Sequence, residues 1–244
     1  MIESAILFSL IAVTNLSITL YLHRVVCHRS IALHPSLVIF FRIWLWSVTK
    51  VRIKEWVANH RYHHHASDTV KDTHSPHNTG FWSMMIYGAE YHIARANINF
   101  EDLTRIYAKD IHYDSLDLYF QKYPNLGKIF LAIILLPLCG MWTLPIWFIT
   151  VNWTNFVEQR LQPAFTHYIG YRNYKTKEKS TNMLPWGIIM FGEELHNNHH
   201  ARPGNWSFRA KWYEIDPAAI IAQFLIWTRL AHATNDKTKT VNLF

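Results

Sequence analysis

Apolar positions along this chain gather into long blocks separated by polar stretches, rather than recurring in the three-to-four-residue rhythm of a soluble helix. Ser4 to Leu22 is a run of 19 residues without a charge, close to the ~20 apolar residues that a helix needs to cross a bilayer. Glu3 precedes it, and Arg24 and Arg29 follow. No basic segment stands in front and no small-residue cleavage site behind, so the run reads as a spanning helix and not as a signal peptide. Its basic flank predicts that the His23 end faces the cytoplasm. Leu37 to Thr49 is also apolar, but 13 residues with Arg42 among them are too few to cross, which predicts an interfacial or re-entrant helix.

Ile129 to Val157 is the longest uncharged stretch, 29 residues interrupted by Pro137, Gly140 and Pro145. Hydropathy alone allows one span or a hairpin. If the polar regions on either side, 50–127 and 168–215, meet at one site, an even number of crossings must separate them. A hairpin takes about 40 residues, and Tyr119 to Cys139 with Met141 to His167 supply them. The expected fold is therefore an all-α integral membrane protein, one domain over 1–244. Spans are placed near 4–22, 119–139 and 141–165, an interfacial helix near 37–49, and a helical cap on the cytoplasmic side.

Composition supports this picture. Hydrophobic residues make up 50% and charged residues 17%, against about 25% charged in a typical soluble domain, which excludes disorder and a solvated coiled coil. The net charge of +7 is carried outside the 129–157 run; it suits a cytoplasmic face against anionic lipid, and no nucleic-acid-binding motif accompanies it. Cys27 and Cys139 belong to no spaced set and are expected as free thiols.

Histidine is the unusual component, with sixteen copies. Three windows concentrate it: His23-Arg-Val-Val-Cys-His28, His60-Arg-Tyr-His63-His64-His65 and His196-Asn-Asn-His199-His200. The second and third share H-x-x-H-H, a spacing that sets the three imidazoles on one helix face. His65 lies off that face, and His34, His74, His77, His92, His112 and His232 stand alone. Imidazole is the commonest ligand for Fe, Zn, Cu and Ni, and eight exceed one four-coordinate zinc site, so two metals with open positions are expected. Glu55 and Glu194 are assigned to orienting imidazoles from behind, while Glu193 is read as a solvated side chain. Arg61, Arg172 and Lys175 are candidates for an anionic head group. The aromatics of 36–56 and 141–156 are candidates for an apolar substrate tunnel.

With these boxes the sequence resembles the membrane fatty-acid desaturases, in particular the acyl-CoA Δ9 (stearoyl-CoA) type and its bacterial relatives. The order H-x-x-x-x-H, H-x-x-H-H, H-x-x-H-H carries the resemblance. So do Tyr21-Leu-His-Arg24, Lys54-Glu-Trp56, Gly170-Tyr-Arg-Asn173 and Gly192-Glu-Glu-Leu-His-Asn-Asn-His-His200. It extends from about Leu20 to Asp216, and related hydroxylases and ketolases carry similar boxes.

The resemblance implies two irons held by nine histidines. It assigns His23, His64, His167, His196 and His200 to one, and His28, His60, His63 and His199 to the other. His167 enters only through this likeness. The implied reaction is O₂-dependent insertion of a cis double bond into a fatty acyl chain carried by CoA, a carrier protein or a lipid, in a bacterial inner membrane. The chain has no nucleotide, flavin or haem motif, so electrons would come from a separate ferredoxin or cytochrome b5-like donor. One position departs from the family pattern: Pro163 stands where an Asn usually reaches the second iron through water, so either Gln162 beside it substitutes or water fills the position unaided. The alternatives to desaturation are a hydroxylase or ketolase on the same scaffold, and a non-catalytic membrane metal-binding or transport protein.

Overall fold

A computed structural model describes residues 1–96 and 98–234, and over these the chain is mostly helical. Helix α1 (Ile2–Leu16) continues without a break into a π-wound stretch, Ser17–Cys27. The hydroxyls of Thr14 and Ser17 bond back to the carbonyls of Leu10 and Val13, each at 2.7 Å. Such back-bonding competes with the i→i−4 ladder, and the winding loosens where it occurs. Together the two stretches make Ile2–Cys27 a 26-residue apolar helix, longer than the expected 4–22. Helix α2 (Pro35–Val48) is capped by His34 and opened by Pro35. Its Arg42 pairs with Asp114 at 2.5 Å and with Asp117 at 2.8 Å.

Helix α3 (Ile53–Ala66) carries the second histidine window. Five short helices follow: α4 (Pro76–Thr79), α5 (Phe81–Tyr87), α6 (Ala89–Arg95), α7 (Phe100–Tyr107) and α8 (Ser115–Lys122). The first hairpin leg starts later than expected: residues 123–125, with Pro124 among them, separate α8 from α9 (Leu126–Cys139). At Gly140, with φ +51, the chain turns into α10 (Thr143–Phe156). The legs fold back on each other, because Trp147 Nε1 donates to Lys128 O at 2.8 Å, a contact a straight helix of that length excludes. A second π-wound turn, Val157–Leu161, joins α10 to α11 (Gln162–Thr166). Pro163 has no N–H to return to Gln159, which removes one rung of the α ladder at that point. Leu126–Thr166 is the second segment long and apolar enough to cross a membrane.

Indole hydrogen bonds tie these helices together. Trp44 donates to Thr14 Oγ1 at 3.0 Å, Trp46 to Tyr123 O at 2.9 Å and Trp153 to Asn15 Oδ1 at 2.7 Å. The outer faces of α9 and α10 leave Ile129, Ile133, Leu136, Leu144 and Phe148 exposed, as lipid-facing side chains would be. The cap departs from the helical expectation. Residues 168–195 form turns and isolated bridges, and β1 (Ile31–Leu33) pairs antiparallel with β2 (Ala231–Ala233). Gly170, Pro185, Gly187 and Gly192 break helical winding there. Side chains replace the ladder: Asn182 Nδ2 and Asn173 Nδ2 both donate to Asn198 Oδ1, at 3.0 and 2.9 Å. Helix α12 (His196–Ala201) holds the third window, and α13 (Pro217–Trp227) packs on the π-wound end of α1.

Candidate metal centre

All three histidine windows converge. On α3 the i, i+3, i+4 spacing turns His60, His63 and His64 to one side, while His65 points outward toward Tyr107. On α12 the same spacing presents His196, His199 and His200. The five-residue spacing of the first window suits its winding: an α-helix would splay residues five apart by about 140°, whereas an i→i+5 ladder brings them toward one face. The bond from His28 N to His23 O, 2.9 Å, closes that turn. His167 caps α11 one residue past the end of the second long helix.

The imidazole nitrogens form two groups, in each of which the ligand atoms lie within 4.8 Å of one another. One contains His23, His28, His60, His64 and His199; the other contains His63, His167, His196 and His200. This grouping by distance differs from the partition that the resemblance implies. His28, His60 and His199 share a group with His23 and His64, while His63 joins His167, His196 and His200. His63 and His64 are neighbours on α3 and point into different groups, which no spacing argument resolves.

Carboxylates stand behind four of the rings. His23 Nδ1 donates to Glu193 at 2.8 Å, His63 Nδ1 to Asp72 at 3.0 Å and His167 Nδ1 to Asp68 at 2.9 Å, and Glu178 lies 3.9 Å from His200 Nδ1. This corrects the expected assignment. Glu193, read as solvated, is buried on His23 and also takes the Thr19 hydroxyl. Glu194 instead caps its own loop, accepting from the N–H groups of Ile189, Met190 and Gly192, and burial raises its carboxyl to about 6. Glu55 pairs with Arg52 at 2.9 Å. Gln162 does reach an imidazole: its Nε2 lies 3.2 Å from His196 Nδ1. Among the histidines expected to stand alone, His74 packs on His63 with ring centroids 4.5 Å apart, and burial, with His63 beside it, holds it at about 3. His77 Nε2 donates to His167 O at 2.7 Å.

The head-group assignments also change. Arg61 is committed to Cys27 O, Tyr107 O and Asp110, fastening α3 to the first window. Arg172 closes its own loop on Thr176 and Glu178, and Lys175 is exposed on that loop. The expected aromatic tunnel is replaced as well: Phe40, Trp142, Phe148 and Phe156 are exposed, Phe41 stacks on Tyr21, and Trp56 stacks on His60 at 4.9 Å.

Electrostatics prepare these rings for a cation. Burial first, then neighbouring histidines, holds His28, His60, His64, His196, His199 and His200 well below the usual imidazole range, so they stay neutral. At His63 burial acts downward, but Asp72, Asp68 and Glu178 outweigh it and the net shift is upward. Burial opposes ionisation of Asp68 and Asp72, yet the histidines bonded to them keep both below the usual carboxylate range. A carboxylate on Nδ1 leaves the lone pair at Nε2. The Nε2 atoms of His63 and His167 face each other at 3.2 Å with both lone pairs inward. His200 Nε2 is buried without a hydrogen-bond partner among the described residues. Two ring nitrogens held that close in a dry pocket can share a cation. An all-nitrogen donor set fits a pair of divalent transition metals with positions left open.

Asp68 gives a direct test. It sits in the left-handed region at φ +57, which Asn also tolerates. Its Oδ2 accepts from His167 and from Lys179 N at 2.8 Å, and Ser75 Oγ donates to Oδ1. In Asp68→Asn the amide oxygen keeps the first two bonds and Ser75 rotates to accept, so mainly the charge is lost. Metal affinity is expected to fall about 10–100-fold with secondary structure intact, measured by chelator competition. Unchanged affinity would remove the carboxylate from the centre's design.

Comparison with known proteins bears on this site. The family model for fatty acid desaturases matches residues 4–232. The chain is 35% identical over 225 residues to sn-1 stearoyl-lipid 9-desaturase of Anabaena variabilis, covering 91% of this chain and 79% of that protein. It is 30% identical over 223 residues to Delta-9 acyl-lipid desaturase 1 of Arabidopsis thaliana, covering 87% and 68%. With Acyl-CoA desaturase 1 of Saccharomyces cerevisiae the identity is 28% over 238 residues, covering 91% and 44%.

Proposed function

The chain belongs to the fatty acid desaturase family, and from that premise we propose that it inserts a cis double bond, at the Δ9 position, into a fatty acyl chain linked to a membrane lipid. An acyl-CoA substrate is the second reading, carried by the identity with the yeast protein; the lipid-linked reading rests on the relatives at 35% and 30%. The observation that carries the activity is the convergence of nine imidazoles into two groups at the inner ends of two apolar segments.

The ligand set is His23, His28, His60, His64 and His199 for one iron, and His63, His167, His196 and His200 for the other. When bound, the irons supply the dioxygen chemistry that removes two hydrogens from adjacent methylenes while O₂ is reduced to two waters with two electrons and two protons. The chain's own residues do the rest. Asp68, Asp72 and Glu193 fix the rings with their lone pairs inward. Burial keeps His28, His60, His64, His196, His199 and His200 neutral and limits water at the reacting carbon. Gln162 bonds to His196 next to the position that Pro163 occupies. The electrons come from a separate donor, of ferredoxin or cytochrome b5 type.

In this reading Ile2–Cys27 crosses the membrane once and the α9–α10 hairpin returns the chain to the same side. The His centre then faces the cytoplasm, in accord with Arg24 and Arg29 at the end of the first span. Expression in a host that makes no unsaturated lipid tests the proposal. New monounsaturated chains, with about two irons per protein, are expected. Hydroxylated chains would move the protein to the hydroxylase alternative, and zinc or no metal in the purified protein would overturn the di-iron reading.

A further inference from the structure

A cleft of about 280 Å³ reaches the centre at His23 and His60. Ile18, Trp56, Ile93, Phe100 and Pro163 give it a largely apolar wall, into which Glu158, Gln162 and Glu193 also face. A methylene chain suits most of that wall, but a polar group stripped of water there without a partner costs about 1–3 kcal/mol. Four of the polar lining groups are already satisfied. Glu193 is bonded to His23 and Thr19, Gln162 reaches His196 and Thr166, Asn59 accepts from Thr73, and Glu55 pairs with Arg52.

Glu158 is half-buried and not so bonded; the Lys50 and Glu90 side chains, also without a hydrogen bond among the described residues, are exposed. Glu158 lies with Arg160 on the π-wound turn Val157–Leu161, just past the uncharged run Ile129–Val157. Its carboxylate takes part in no hydrogen bond or ion pair with another described residue, and Glu193, of the same sign, faces the same cleft. An ionisable group at the end of a spanning helix, facing a cavity, marks a functional position. Gln162 follows it at i+4, on the same face. Glu158 is therefore an acceptor open to the cleft that also reaches His23 and His60.

We propose that Glu158 binds a hydrogen-bond donor on the substrate itself: the chain presented to His23 and His60 carries a hydroxyl or an ammonium group close to its reacting carbon. The natural substrate is then a substituted lipid chain, and a simple saturated chain binds weakly. This rests on the desaturase reading and narrows it.

The test uses the metal-loaded full chain in lipid nanodiscs. The probes are a stearoyl lipid, the same lipid with a hydroxyl walked along its chain, and the corresponding amino-substituted series. Competition against a spin-labelled stearoyl lipid reads the affinities. The wild type is expected to bind one substituted position about tenfold more tightly than the plain chain or better. Glu158→Leu is expected to abolish that preference. Glu158→Gln keeps it if the donor is a hydroxyl and loses it if the donor is an ammonium. Equal affinity of the wild type for plain and substituted chains overturns the proposal even if no variant folds, and so does a preference that survives in Glu158→Leu. Unsaturated plain chains made in the host, without this preference, would defeat this inference and leave the desaturase reading standing. The preference without any unsaturated product would do the reverse.

Discussion

Replacing His199 with alanine is expected to abolish turnover, by about a thousandfold or more, and to lower bound metal while leaving membrane insertion unchanged. His199 is fully buried on α12, with Nε2 2.9 Å from His64 Nε2 and 3.0 Å from His23 Nε2. It is thus at the middle of its group, and its loss removes a donor to which the other four are oriented. Loss of a residue that only orients a ligand already costs about 10–100-fold, and loss of the ligand itself exceeds that. His63→Ala tests the other group, because His63 Nε2 faces His167 across 3.2 Å. Insertion depends on the apolar segments Ile2–Cys27 and Leu126–Thr166, which neither substitution touches. His65→Ala is the control: the ring is exposed and points off the face, so activity and metal content should match the wild type. Turnover at the wild-type rate in His199→Ala or His63→Ala would defeat the metal centre.

The parts of this arrangement that follow helical periodicity were legible in the sequence. H-x-x-H-H puts three rings on one face whatever surrounds the helix, and a run of 19 uncharged residues needs an apolar environment. What could not be read depends on contacts between distant segments. Glu193 and Glu194 are adjacent and identical in type; only the loop before α12 decides which one meets His23. Asp68 and Asp72 follow the second window by a few residues, a spacing suggestive in hindsight, but their roles depend on a left-handed turn at Asp68. The aromatic blocks pointed to a tunnel, yet most of those rings face outward or lie between helices, because an apolar face in a membrane needs no interior to be satisfied. Glu158 lies one residue beyond the uncharged run, and its aim into the cleft comes from the π winding imposed next to Pro163.

Asp216→Ala is expected to lower unfolding stability by about 3–5 kcal/mol and to loosen the metal centre, although Asp216 touches no imidazole. Its carboxylate accepts from Arg24 Nη2 at 3.1 Å, from Phe208 N at 2.9 Å and from Ala219 N at 3.0 Å, the last capping α13. Both members of the pair are fully buried, and Nε and Nη1 of Arg24 find no acceptor among the described residues. Removing Asp216 therefore leaves a guanidinium in a dry interior without its bonded counter-charge. The same guanidinium lies 3.9 Å over the Phe208 ring, and that ring packs 4.5 Å from His199 and 5.7 Å from His23. Gly192, at φ +109, permits the approach, since a Cβ there would collide with the Asp216 carboxylate. A chain of contacts thus runs from the cap of α13 through Arg24 and Phe208 to the floor under two imidazoles. Thermal unfolding in detergent, read together with metal content, should fall in Asp216→Ala. The double variant Arg24→Met with Asp216→Asn should recover most of the lost stability, because it removes the buried charge along with its partner. An unchanged unfolding midpoint in Asp216→Ala would show that the pair stabilises neither the fold nor the site.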